Sequence, residues 1–122
     1  MPVSVLICDD SNMARKQVLR LLPEAWQALV TQACNGREGL EAIRAGKGEL
    51  IFLDLTMPEL DGYEVLQQMQ REGLGGTTIV ISADIQPEAR TRVLALGAAE
   101  FIKKPVAADT LHEVLQRHGF LS

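Results

Sequence analysis

Five polar side chains in this sequence stand just beyond short apolar runs: Asp9, Asp10, Asp54, Ser82 and Lys104. Each has a bland reading. Asp10-Ser11 could cap a helix, Asp54 could open the turn before Met57-Pro58, Ser82 could cap a turn, and Lys104 could be a solvated surface charge. Together they do more. Three carboxylates brought into one cleft repel one another, and their ionised forms are costly without a counter-charge. A divalent cation supplies a reason to collect them. Mg²⁺ takes oxygen ligands and is commonly held by one or two carboxylates plus phosphate oxygens. A lysine opposite could balance a phosphoryl group, and a serine hydroxyl could donate to one of its oxygens.

That conjunction requires elements that deliver the five residues to one edge. Apolar runs predict strands over Val3–Cys8, Ala28–Ala33, Leu50–Leu53, Thr77–Ile81 and Glu100–Ile102. Helices are expected between and after them. Ser11–Leu22 places Ala14, Val18 and Leu21 on one face. A second helix opens at Asn35 as N-cap, with Glu38 in a capping-box-like position, and ends at Gly46 and Gly48. Asp61–Glu72 turns Val65, Leu66 and Met69 inward and stops at Gly73. Pro87 suits a first helical turn, Gly97 ends that helix, and Leu111, Val114, Leu115 and His118 stripe the last one. Trp26, between the first helix and second strand, reads as a packing residue, and Arg90-Thr91-Arg92 as a solvated helix face.

The strands are continuous apolar runs, which fits a parallel sheet covered by helices on both faces. The expected fold is therefore α/β, a doubly wound five-stranded parallel sheet in the order 2-1-3-4-5 with five helices, flavodoxin-like. In such a sheet ligands bind beyond the carboxyl ends of the strands, where these polar residues fall. With 122 residues, 47% of them apolar, the chain reads as one domain over 1–122 with no effector domain. Twelve basic against sixteen acidic residues give a net charge of −4, which argues against direct nucleic-acid binding. No apolar run is long enough for a leader or a membrane span, so a cytoplasmic protein without membrane insertion is expected. Cys8 and Cys34 lack metal-type spacing and read as buried free thiols. His112 and His118, six apart, do not share a helix face.

Asp9-Asp10, Asp54 within Leu53-Asp54-Leu55-Thr56-Met57-Pro58, the pair Asp61-Gly62, Ser82-Ala83, and Phe101-Ile102-Lys103-Lys104-Pro105 resemble the receiver domain of two-component response regulators. The resemblance is to the stand-alone chemotaxis, CheY-like type, and runs the whole chain. It implies that Asp54 is the phosphoacceptor and that Mg²⁺ is the cofactor. Asp10 would contact the ion directly, Asp9 largely through water, and Thr56 through its backbone carbonyl. Ser82 would be the hydroxyl that moves toward the phosphoryl group, Phe101 the aromatic that turns inward with it, and Lys104 the phosphate-contacting lysine before a cis Pro105. Thr56 and Asp84 would flank the path of the hydrolytic water and tune the lifetime of the phosphoaspartate.

The implied partners are a sensor histidine kinase or histidine phosphotransfer protein, an output protein, and a phosphatase. The output surface would be the fourth helix, fifth strand and fifth helix. The chain would catalyse only its own phosphorylation and dephosphorylation. Rival readings fit less well. A flavodoxin-like FMN carrier needs a hydroxyl- and glycine-rich phosphate loop where this chain has two carboxylates. A haloacid-dehalogenase-type phosphatase needs an acid at Thr56. A P-loop NTPase needs GxxxxGK[ST], which is missing. A pseudo-receiver acting as a passive docking module is the rival from another class, and the intact Asp10, Asp54 and Lys104 set argues against it.

Overall fold

A computed structural model describes residues 3–84 and 86–121. Five strands, β1 (Val5–Cys8), β2 (Val30–Ala33), β3 (Leu50–Leu53), β4 (Thr77–Ser82) and β5 (Glu100–Lys103), alternate with α1 (Asn12–Leu21), α2 (Gly36–Arg44), α3 (Gly62–Glu72), α4 (Pro87–Ala95) and α5 (Ala108–Arg117). The strands form one parallel sheet in the order β2-β1-β3-β4-β5. The doubly wound architecture expected from the sequence is the one observed.

The sheet separates two cores. Leu6, Cys8, Ile51, Leu53 and Val80 face Leu40, Val65, Met69 and Val93 of α2, α3 and α4. Val5, Ile7, Leu50, Phe52, Ile79 and Ile81 face Val18 of α1 and Leu111, Val114 and Leu115 of α5. Alternate residues of one strand thus enter different cores, and every residue of β1 and β3 is buried. That is why the sequence shows apolar runs with no period of two. Each fully buried aliphatic or aromatic side chain contributes roughly 1.5–3 kcal/mol.

Four local expectations are corrected. Ala28 and Leu29 are not strand residues; they end a 3₁₀ helix over Glu24–Leu29 that starts from Pro23 and buries Trp26 as packing. The Asn35 cap forms, but its box does not close. Asn35 accepts from the Glu38 amide at 2.8 Å, while the Glu38 carboxylate turns to the amide and thiol of Cys34. Cys34 is exposed, not buried. A reciprocal box forms instead at Asp61 and Glu64. His118 lies at the C-cap of α5, beyond the helical stripe, where Nε2 sits 2.8 Å from Glu100. Arg90, Thr91 and Arg92 are exposed, as expected of a solvated face, and Arg92 also stacks over the Tyr63 ring at 3.9 Å.

Gly62 sets how closely α3 approaches the end of β3. Its amide donates to the Leu55 carbonyl at 3.0 Å. A Cβ there would lie 2.4 Å from the Asp54 carbonyl oxygen and 2.8 Å from the Leu55 Cα. Both are backbone atoms that cannot swing aside. Gly62→Ala should therefore lower stability in urea by about 1–3 kcal/mol. Gly75→Ala, where a Cβ meets nothing within 4 Å, should be close to neutral. Equal midpoints for the two variants would show that the α3 contact relaxes freely.

Candidate functional site

The carboxyl ends of β1, β3, β4 and β5 deliver the site. Asp9 follows β1 and Asp54 follows β3, and both are buried, with side chains 8% and 7% exposed. Lys104, one residue past β5, reaches Asp9 Oδ2 at 2.8 Å and Asp54 Oδ1 at 3.4 Å. Asp10 is exposed, yet ligand oxygens of Asp9, Asp10 and Asp54 all lie within 4.8 Å of one another. Among the described residues Lys104 alone ion-pairs with Asp9 or Asp54.

Burial, and then the charge of Asp9, push the Asp54 carboxyl up to about 6, with the Lys104 ammonium acting in the opposite direction. Burial alone would lower the Lys104 ammonium, but its bond to Asp9 and the Asp54 charge hold it above its ordinary value. The same field reaches Cys8. Burial first, then Asp9 and Asp54, push its thiol up to about 12, so it is an inert packing group. Its Sγ contacts the Asn35 carbonyl at 3.4 Å and Met57 Sδ at 3.6 Å, which ties β1 to the loop that follows Asp54.

Asp9 Oδ1 accepts the Ser11 amide at 2.9 Å and Oδ2 takes Lys104, so both its oxygens are engaged. No hydrogen bond or ion pair involves the Asp10 carboxylate among the described residues, and it is exposed. Three clustered hard oxygen donors against one ammonium leave an excess of negative charge. This donor set fits a small divalent cation that keeps part of its water. Thr56, two residues beyond Asp54, is exposed at the rim.

Ser82 is buried at the end of β4. Its Oγ accepts the Asp84 amide at 3.1 Å, and its carbonyl accepts the Lys104 amide at 2.8 Å. Asp84 Oδ1 in turn accepts the Gln86 amide at 2.9 Å. Phe101 is half-buried and lines an open groove with Asp84, Pro87, Arg90 and Lys103. The Lys104–Pro105 peptide is cis.

Two neighbours of the site carry no sequence signal. Arg15 donates to the Asp9 carbonyl at 2.6 Å, and its Nε donates to Gln32 on β2 at 2.9 Å. Bonds to a backbone carbonyl and between a helix and a strand edge leave no spacing to read.

A family model of the response regulator receiver domain matches residues 5–116. The chemotaxis protein CheY of Listeria monocytogenes is 31% identical over 115 residues, which covers 94% of this chain and 97% of that protein. The nitrate/nitrite response regulator protein NarL of Escherichia coli is 30% identical over 119 residues, covering 95% of this chain and 54% of that protein. The solved structure of Vibrio cholerae chemotaxis protein CheY4 superposes with a TM-score of 0.84 at 28% identity, covering 96% of this chain and 98% of that one.

The raised Asp54 carboxyl has a consequence for stability. Its folded value of about 6 exceeds the ordinary 3.8, so between these values the folded protein binds the proton more tightly than the unfolded chain. Stability is lost as pH rises through that window, and the loss is complete above it. Asp54→Asn removes the buried charge and leaves Lys104 paired with Asp9. The variant should exceed wild type by about 2 kcal/mol at pH 7.5, and the gap should close near pH 4. Urea melts at the two pH values measure this; a gap independent of pH would contradict the buried-charge account.

Proposed function

The chain belongs to the response regulator receiver domain family and is CheY-like, and from that premise we propose that it accepts a phosphoryl group on Asp54 and signals through protein contact. The observation that carries this is the convergence of Asp9, Asp10 and Asp54 within 4.8 Å, with one ammonium shared between the two buried acids.

The donor is a phosphohistidine on a sensor histidine kinase or a histidine phosphotransfer protein. A bond forms between an Asp54 carboxylate oxygen and phosphorus. The P–N bond breaks, and its electron pair stays on the donor imidazole. The transition state is loose and asks chiefly for positioning and charge neutralisation. Lys104 already reaches Asp54 and can follow the transferred group. Mg²⁺ held by Asp9, Asp10, Asp54 and the Thr56 carbonyl would neutralise charge on the phosphoryl oxygens. Asp9, with both oxygens engaged, suits an outer role, and exposed Asp10 a direct one. The nucleophile is ionised Asp54, and a cation held by the cluster would favour that form.

Ser82 Oγ accepts the Asp84 amide, which leaves its hydroxyl proton free to donate to a phosphoryl oxygen, and movement of Oγ toward that group would draw the Asp84 amide with it. That pull acts on the loop into α4 and on the groove holding Phe101. The result is a biased two-state surface over α4, β5 and α5, read by an output protein. Thr56 and Asp84, both exposed, would flank the path of the hydrolytic water and set the lifetime of the adduct, with or without a phosphatase. The only chemistry is the chain's own phosphorylation and dephosphorylation. No helix among the described residues is long and apolar enough to cross a membrane.

Acetyl phosphate with Mg²⁺ should add one phosphoryl mass to the wild type, on Asp54, and none to Asp54→Asn. Beryllofluoride should then shift amide resonances in α4 and α5. Ser82→Ala should still bind the mimic, with the shifts confined to the cleft. Labelling of Asp54→Asn at the wild-type level would remove the assignment. Wild-type shifts that never leave the cleft would favour a passive docking module.

A further inference from the structure

We propose that Arg15 is a positioning residue that sets the turn between Asp9 and Asp10, and thereby the affinity of the acidic cluster for a divalent cation. The inference rests on the metal-dependent reading above and concerns how this chain shapes the same site.

Successive side chains of a strand point to opposite faces. Two adjacent acids can therefore face the same cleft only if the backbone leaves the strand between them. Asp9 is where this happens. Its amide still belongs to the ladder and donates to the Ala33 carbonyl at 3.0 Å. Its carbonyl leaves the ladder and accepts from Arg15 Nη1 at 2.6 Å. The Ser11 amide closes the turn from the other side onto Asp9 Oδ1 at 2.9 Å.

The guanidinium is itself held. Arg15 Nε donates to Gln32 Oε1 at 2.9 Å, and Nη2 reaches Asn12 Oδ1 at 3.3 Å. Gln32 stands beside Ile7 in the β1–β2 register, on the edge strand of the sheet. One planar fork thus joins α1, the turn and β2. A lysine has the charge but lacks the rigid fork that serves three acceptors at fixed angles. No hydrogen bond or ion pair from Arg15 to a carboxylate of the cluster occurs among the described residues, so its action runs through the Asp9 backbone. Loss of such outer support for metal ligands typically weakens metal affinity 10–100-fold.

Mg²⁺ titration of the full chain, followed by calorimetry and by the amide resonances of residues 9–11 and 54–56, tests this beside urea melts without the ion. Arg15→Ala should weaken Mg²⁺ binding about tenfold, and Arg15→Lys nearly as much. Gln32→Leu should weaken it less, and the double variant Arg15→Ala/Gln32→Leu no more than Arg15→Ala alone. Lys16→Ala, one cation removed from the same helix, should bind as wild type. Wild-type affinity in Arg15→Ala, full rescue by Arg15→Lys, or an equal loss in Lys16→Ala would each overturn the proposal. If Arg15→Ala does not fold, Arg15→Lys and Gln32→Leu decide by the same readings. Wild type that takes up no Mg²⁺ at all would overturn the metal-dependent reading, and this inference with it, a result distinct from failure of Arg15 alone.

Discussion

Lys104 divides one ammonium between two buried carboxylates, 2.8 Å from Asp9 and 3.4 Å from Asp54. Charges at such separations interact strongly once water is excluded, and taking them out of water costs several kcal/mol each. One cation cannot settle two anions. Burial, and then the charge of Asp9, leave the Asp54 carboxyl raised to about 6. Asp10 adds a third negative charge at the rim. The fold sustains this excess because two apolar cores, one on each face of the sheet, supply the stability that the cleft lacks.

The same lysine joins the cleft to the far side of the sheet. Its side chain ends among the acids, and its amide donates to the Ser82 carbonyl at 2.8 Å. Ser82 holds the turn into α4 through the Asp84 amide, and Phe101 lies three residues before Lys104 on β5. A change of charge at Asp54 therefore meets, within two residues of contact, both the loop that starts α4 and the strand that carries Phe101. Coupling between the acidic cleft and this surface needs no longer path than that.

Much of this was legible in the sequence. The apolar runs place the four strand ends that carry the acids, the serine and the lysine, because burial on two faces leaves each strand almost wholly apolar. The pairing Asp9-Asp10 with Asp54 is legible because collecting carboxylates has no purely structural reason. What stayed hidden was set by tertiary contact. The 3₁₀ segment before β2 exists because Trp26 must be buried, and an apolar Ala28-Leu29 looks the same in either conformation. Glu38 abandons its expected box because the Cys34 amide and thiol offer better-placed donors. Spacing puts His118 on the stripe of the last helix, but it lies at the helix end, paired with Glu100 on β5. Gly62 was visible as part of a motif, whereas its reason, a close approach to the Asp54 carbonyl, is a distance that only the folded chain supplies.

The two sides of the cleft differ in how firmly they are held, and that difference gives the proposed switch its direction. On the acid side Asp9 is fixed at four atoms: its amide by Ala33, its carbonyl by Arg15, and its two carboxylate oxygens by Ser11 and Lys104. The loop after Asp54 is fixed by Gly62 against α3 and by Met57 against Cys8. On the hydroxyl side, among the described residues, Ser82 Oγ bonds an amide two residues on and Asp84 Oδ1 accepts the Gln86 amide just before α4. α4 itself begins without a side-chain cap. A new dianion at Asp54 would thus meet firmly held acids on one side and, on the other, a hydroxyl whose proton is free to donate. Movement should follow the weaker constraint, from Ser82 toward α4 and β5, while β1 and its acids stay in place.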